Sequence, residues 1–115
     1  MLRIDRVRLT DRTPFLYSIN YLPDDIGRFL SKKELEEQSL TELIQKKCVF
    51  VLKSALQTFS ATLADDHMAD ILKVPIGFPL LEIKRVTSSV EDRPINLFFG
   101  FFRPDLYVFT AIFHY

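Results

Sequence analysis

Arg93-Pro94-Ile95-Asn96-Leu97-Phe98-Phe99-Gly100-Phe101-Phe102-Arg103-Pro104-Asp105-Leu106-Tyr107 is the stretch around which this chain is organised. From Ile95 to Phe102 almost no polar side chain interrupts it. A strand that faces water on one side alternates apolar and polar residues, whereas a near-continuous apolar run is covered on both faces. One cover is the core. The other is a helix, a subunit or a ligand cavity, and much of the functional question turns on which.

The 115 residues make one domain. A domain of this size withdraws roughly 65% of its unfolded surface from water, enough for a core without covalent staples. Phenylalanine is abundant, at 11 residues with no tryptophan, and the apolar run draws on that excess. Fifteen basic and fifteen acidic residues cancel. Nucleic-acid binding by charge needs a basic footprint, so any contact with DNA is expected from another domain. One cysteine, Cys48, excludes an internal disulfide and a cysteine-based zinc site, and fits a reducing compartment. Met1 to Arg6 alternates charged and apolar residues without an apolar leader core. The longest apolar run is far too short to span a bilayer. The expectation is a soluble, cytoplasmic protein with no membrane contact.

Working outward from the quoted stretch, Tyr107–Tyr115 reads as a last strand. Glu91-Asp92-Arg93 reads as the hairpin turn that joins the run to a strand over Leu80–Ser89. Val74 to Pro79 is a connector rich in Pro and Gly. Asp65 reads as the N-cap of a helix whose apolar stripe is Met68, Ala69, Ile71 and Leu72. Val49–Thr62, β-branched and aromatic, reads as one long strand. Ser39-Leu40-Thr41-Glu42 has the spacing of a capping box and opens a helix over Leu40–Lys47. Lys32–Glu37 fits a short charged helix. Leu2–Thr10 and Phe15–Leu22 read as a hairpin with its turn at Asp11 to Pro14. The predicted class is α+β, a mainly antiparallel sheet of about six strands with two or three short helices.

Few residues suggest catalysis. His67 and His114 show no ligand spacing with Cys48 or the scattered carboxylates, so no metal and no cofactor are expected. Cys48 follows Lys46-Lys47 and reads as a spectator thiol. No nucleophile elbow, Gly-rich phosphate loop or paired catalytic carboxylates are present, so no catalytic residue is assigned. Arg103 and Asp105, two apart beside Pro104, read with Tyr107 as a structural turn held by ion pairing.

Taken in order, the landmarks resemble the UTRA domain, the effector-sensing domain of the HutC subfamily of GntR transcription regulators, which has a chorismate lyase-like fold. Arg6-Val7-Arg8 is similar to its R-x-R. Pro14 with Tyr21-Leu22-Pro23 resembles its hairpin. Ser39-Leu40 matches the start of its first helix. Ala64-Asp65, Ala69, Leu72, Val74-Pro75, Gly77, Pro79-Leu80-Leu81 and Arg85 follow its middle section, and Arg93-Pro94 with Arg103 to Tyr107 its end. The resemblance runs from about residue 2 to 110.

The resemblance implies a homodimer that binds a small-molecule effector and contacts DNA only through an N-terminal winged helix-turn-helix not in this chain, as in a repressor. It places the ligand near Arg6 and Arg8, two guanidinium groups gripping an anion, with Ser39 adding a hydroxyl and helix N-terminal amides. The alternative for the two arginines is pairing with carboxylates on a solvated sheet face. Ser18 and Phe99 stand where relatives carry acidic residues. An anionic or amphipathic acid, its body against Tyr17, Phe99 and Phe101, is therefore expected in place of a sugar phosphate. Two other classes are an enzyme with the chorismate lyase fold and a ligand-free oligomerisation module.

Overall fold

The computed structural model describes residues 1–47 and 51–115. Cys48 and the first two residues of the predicted third strand, Val49 and Phe50, lie outside the described residues. Among the described residues five strands and four short helices follow one another. They are β1 (Leu2–Thr10), β2 (Thr13–Leu22), α1 (Asp24–Gly27), α2 (Lys32–Glu37), α3 (Leu40–Lys47), β3 (Leu52–Leu63), α4 (Asp66–Leu72), β4 (Pro79–Ser89) and β5 (Pro94–Phe102). The sheet order is β1-β2-β5-β4-β3, antiparallel throughout.

The apolar run is thus the central strand. Its register against β2 sets Phe98, Gly100 and Phe102 beside Asn20, Ser18 and Leu16, and Leu97, Phe99 and Phe101 beside Tyr21, Ile19 and Tyr17. Side chains alternate across a strand, so these are the two faces of the sheet. On the first face Leu22, Ile26, Leu40, Ile44 and Ile95 form one cluster, with Leu2 and Ile4 beside it. On the second, Tyr17 and Leu80 pack with Ala64, Ala69 and Leu72 of the α4 region, joined by Ile19 and Phe101. The α4 region on the second face, and on the first face α1 and α3 at Ile95 with Leu16, Ile83 and Tyr107 around Phe98 and Phe102, account for the missing alternation in β5.

Two residues of β5 need their own reasons. Gly100 leaves room for the rings of Phe98 and Phe102: a Cβ there would lie 2.7 Å from one and 2.8 Å from the other. Asn96, the polar interruption, is buried and accepts a hydrogen bond from Asn20 Nδ2 at 2.9 Å. The cross-strand partner offsets part of the cost of burying the two amides, while Asn20 Oδ1 stays buried without a hydrogen-bond partner among the described residues.

The β1–β2 hairpin closes in two residues, Asp11 and Arg12, both at positive φ (46° and 66°), as a tight hairpin requires. β2 therefore starts at Thr13, ahead of the predicted Phe15. Pro14 lies opposite Leu9, next to the irregularity between Arg8 and Leu9. A residue without an N–H is tolerated at such a break in the ladder. After Pro23 the chain makes a single helical turn, α1. The capping box that closes among the described residues is at Ser31, where the hydroxyl accepts from the Glu34 amide and the Glu34 carboxylate accepts from the Ser31 amide. At α4 the Asp65 carboxylate accepts from the Met68 amide at 2.8 Å.

Among the described residues the sheet has five strands, and the predicted sixth over Tyr107–Tyr115 does not form. After β5 the chain turns, with the Leu106 and Tyr107 amides donating to the Arg103 carbonyl. Residues 108–115 then run exposed, despite their β-branched and aromatic composition. A strand is stable only against a partner edge. The central position of β5 leaves none beside it, because β2 and β4 already occupy both its sides.

Candidate functional site

A cavity of about 780 Å³ lies against the first face of the sheet at its β1 edge. β1 from Leu2 to Arg8 forms one wall, and Gly27, Leu30, Lys32 and the segment Leu35 to Ser39 form the other. The alternation of β1 sends Leu2, Ile4, Arg6 and Arg8 to the face that carries α1 to α3, because they pair with Leu22, Asn20, Ser18 and Leu16. Gly27 permits the close approach of α1 to this wall: a Cβ there would lie 2.7 Å from the Leu2 side chain.

Arg6, Arg8 and Ser39 all line this cavity. Arg6 is half-buried and donates one long hydrogen bond, 3.4 Å, to the Leu35 carbonyl. Burial, and then the positive charge of Arg8, pull its pKa below the ordinary arginine value. Among the ion pairs of the described residues, Arg3, Arg93 and Arg103 each hold a carboxylate at 2.7 Å. Arg6 and Arg8 hold none there, so pairing with carboxylates on a solvated face is not what they do. Glu36 and Glu37 also line the cavity, exposed, and neither ion-pairs with these arginines. The arrangement is a desolvated cation beside a second cation at the mouth of a helix, which raises the local potential for an anion. Leu2, Ile4, Leu30 and Leu35 add an apolar lining.

The other residues singled out from the sequence lie elsewhere. Ser18 is buried, opposite Arg6 on β1 and Gly100 on β5. Tyr17, Phe99 and Phe101 share the second face, on the far side of the sheet from the cavity. There Tyr17 stacks on Phe101 at 6.1 Å and meets His67 edge-on at 5.7 Å. Phe99 meets Tyr21 edge-on at 6.3 Å. Tyr17 and Phe101 therefore pack with the α4 region, away from the leucine and isoleucine wall beside Arg6, and Phe99 meets Tyr21 and Lys84.

Reading the sequence missed a polar cluster on that second face. Arg3 grips Asp5 with two hydrogen bonds, Nε to Oδ1 at 2.7 Å and Nη2 to Oδ2 at 3.0 Å. The Tyr17 hydroxyl donates to Asp5 Oδ2 at 2.7 Å. The Arg3 bonds hold the Asp5 carboxyl below its usual range, against the opposing effect of burial. Burial first, and then the bond to Asp5, raise the Tyr17 phenol. The available signal was the R-x-D spacing on a strand, which puts both side chains on one face.

Arg103 and Asp105 are bidentate, at 2.7 and 3.2 Å, and Arg103 Nη1 also donates to the Leu72 carbonyl at the end of α4. The Tyr107 ring lies 4.6 Å from Phe102 and 6.2 Å from Phe15. This ties the end of β5 to α4 and to β2.

Asp5, Asp25, Glu34 and Asp105 all have lowered pKa values, each through a hydrogen-bonded cation as the largest cause. A carboxyl depressed in the folded state stabilises it above the unfolded value, about 4. That stability is lost as pH falls through the lower, folded value. The thermal midpoint is expected to be level from neutral pH to about 4 and to drop below it, with Asp5→Asn showing a smaller drop. Thermal unfolding across that range reads this, and a midpoint that rises on acidification contradicts it.

No helix among the described residues is long and apolar enough to cross a membrane. The family model for the UTRA domain matches residues 1–108. A transcriptional regulator of the GntR family from Enterococcus faecalis V583 superposes with a TM-score of 0.88 at 20% identity, over 96% of this chain and 78% of that one. A Streptomyces coelicolor protein assigned as a transcriptional regulator superposes with a TM-score of 0.86 at 32% identity, over 92% and 69%. The effector domain of PhnF from Mycobacterium smegmatis does so at 0.81 and 24%, over 98% and 69%.

Proposed function

This chain belongs to the UTRA domain family, and we propose that it senses a small anionic effector in the cavity between β1 and the α2–α3 segment. It is the effector-binding domain of a transcription regulator, as its family and structural relatives support. The observation behind the choice of ligand is Arg6, half-buried and without a carboxylate partner among the described residues, beside Arg8 and across the cavity from Ser39. A half-buried charge held only by one long hydrogen bond to a carbonyl costs free energy, and an anion supplied by the ligand offsets that cost. Leu30 and Leu35 give an apolar body somewhere to rest, which favours an amphipathic acid.

The finer reading is a regulator of the HutC subfamily of GntR proteins, acting in the cytoplasm as a homodimeric repressor. DNA is contacted by a separate winged helix-turn-helix domain, in keeping with the neutral charge of this chain. The effector must favour one arrangement of the dimer over the other, since occupancy with equal affinity for both shifts nothing.

The test is a thermal-shift and calorimetric panel of carboxylic acids, organic phosphates and neutral metabolites of similar size. At least one anion is expected to raise the unfolding midpoint and to bind one per chain. Tight binding confined to neutral compounds contradicts the assignment.

A further inference from the structure

Arg6, Arg85, Arg93 and Arg103 are the half-buried arginines of the described residues. Arg93 and Arg103 each hold a carboxylate at 2.7 Å. Arg6 and Arg85 hold none among the described residues, and each lines a cavity. Arg6 belongs to the proposed effector cavity. Arg85 lies elsewhere on the same face of the sheet, in a smaller cavity of about 270 Å³ between α3 and the β3–β4 pair.

The register of the sheet puts Arg85 there. On β4 it stands between Phe98 of β5 and Gln57 of β3. Phe98 is a first-face residue, so Arg85 and, two residues on, Thr87 share the face that carries α3. Two neighbours fix the guanidinium. Its Nε donates to Gln57 Oε1 at 2.6 Å, and its carbon lies 4.8 Å from the centroid of the Phe98 ring. A bond at Nε and an aromatic ring hold an arginine in one orientation without neutralising it. The terminal nitrogens, Nη1 and Nη2, meet no acceptor among the described residues. They form a planar fork that matches two oxygens of a carboxylate or a phosphate.

The rest of the lining suits an anion. Thr41, Ser54 and Thr87 bring hydroxyl groups, and no acidic side chain is among the described lining residues. Lys53, the other cation there, already holds Asp92 at 2.8 Å. α3 separates this cavity from the larger one. Ser39, just before the helix, lines the larger cavity, whereas Thr41 and Gln45, four apart on one side of the helix, line the smaller.

We propose that the Arg85 cavity is a second anion site, separate from the effector cavity. It takes a small oxyanion, a carboxylate or a phosphate group, on the Arg85 fork, with the Thr41 and Thr87 hydroxyls donating to it. Ligand cavities usually span about 300–1,000 Å³, so the smaller volume here favours a small ion over a whole metabolite.

The experiment is a nuclear magnetic resonance titration of the whole ¹⁵N-labelled chain. The probes are inorganic phosphate and acetate, with chloride at matched ionic strength as the control. An Arg6→Ala/Arg8→Ala background removes the contribution of the effector cavity. The expected result is saturable shifts at the Thr41, Ser54 and Thr87 amides and at Arg85 Nε, with a dissociation constant on the order of 1 mM. Arg85→Gln is expected to weaken binding at least about tenfold, and Arg85→Lys by less, since it keeps the charge and loses the fork. Tighter binding of acetate or of phosphate says which group the site is built for, and either supports it. Shifts that chloride reproduces, shifts that never saturate, or equal binding by Arg85→Gln overturn the proposal. Should Arg85→Gln fail to fold, the residue-resolved shifts in the chain with Arg85 intact decide alone. Effector binding is measured separately with Arg6 and Arg8 intact, so failure at either cavity leaves the other reading standing.

Discussion

Replacing both Arg6 and Arg8 with alanine is expected to weaken effector binding by at least about 100-fold while leaving the unliganded domain as stable as before, or slightly more so. Charge-assisted hydrogen bonds contribute about 1.5–3 kcal/mol each, and two lost together give that factor at the lower end. The stability half follows from what the arginines lack. Arg6 is half-buried with a like charge beside it, and its one hydrogen bond is long. Removing it relieves desolvation and repulsion and breaks no ion pair among the described residues. Calorimetry with the best anion from the panel, together with thermal unfolding of the unliganded variants, separates the two effects. If the double variant unfolds early and binds normally, the arginines are structural and the cavity has another use.

Leu22→Ala is expected to cost about 2–5 kcal/mol, lowering the thermal midpoint by roughly 10 °C or more. Leu22 is 0% exposed and joins Ile26, Leu40, Ile44 and Ile95 in one cluster. Helices of four and eight residues do not hold themselves together in water; α1 and α3 depend on that cluster for their place on the sheet. A cavity at Leu22 therefore loosens the helical side of the proposed effector site, and affinity is expected to fall along with stability. Leu56→Ala is the control: at an exposed position it is expected to change stability by less than about 0.5 kcal/mol. Chemical denaturation of the two variants decides it. Equal losses at Leu22 and Leu56 refute the assigned core.

Much of the fold was legible because its signals are local. The alternation of Leu2 to Thr10, the Asp65 cap and the Leu40–Leu43–Ile44 stripe each reflect constraints within a few residues. The corresponding elements form where those signals lie. The unbroken apolar run in β5 also reported its environment correctly, since apolar side chains pack against both faces of the central strand. Part of the cavity's lining was legible. Arg6 and Arg8 lie two apart on one strand, so their shared face follows from the period of a strand alone, and Ser39 faces them across the cavity. Tyr17, Phe99 and Phe101 fall on the other face because hairpin register decides it. Tyr17 pairs with Val7, between the two arginines, and so points away from both. A shift of one residue in that register would have exchanged the faces.

Taken by itself, the sequence determined the local elements, the single-domain α+β class, the apolar central strand and the two arginines that share a face. Only the tertiary structure decided that residues 108–115 form no strand, that β3 keeps an open edge, and that Tyr17, Phe99 and Phe101 lie on the face of the sheet away from the cavity. Propensity and period act over a few residues, so they can be read along the chain. Strand pairing and the choice of covered face depend on residues far apart in sequence, and are settled only when the sheet assembles.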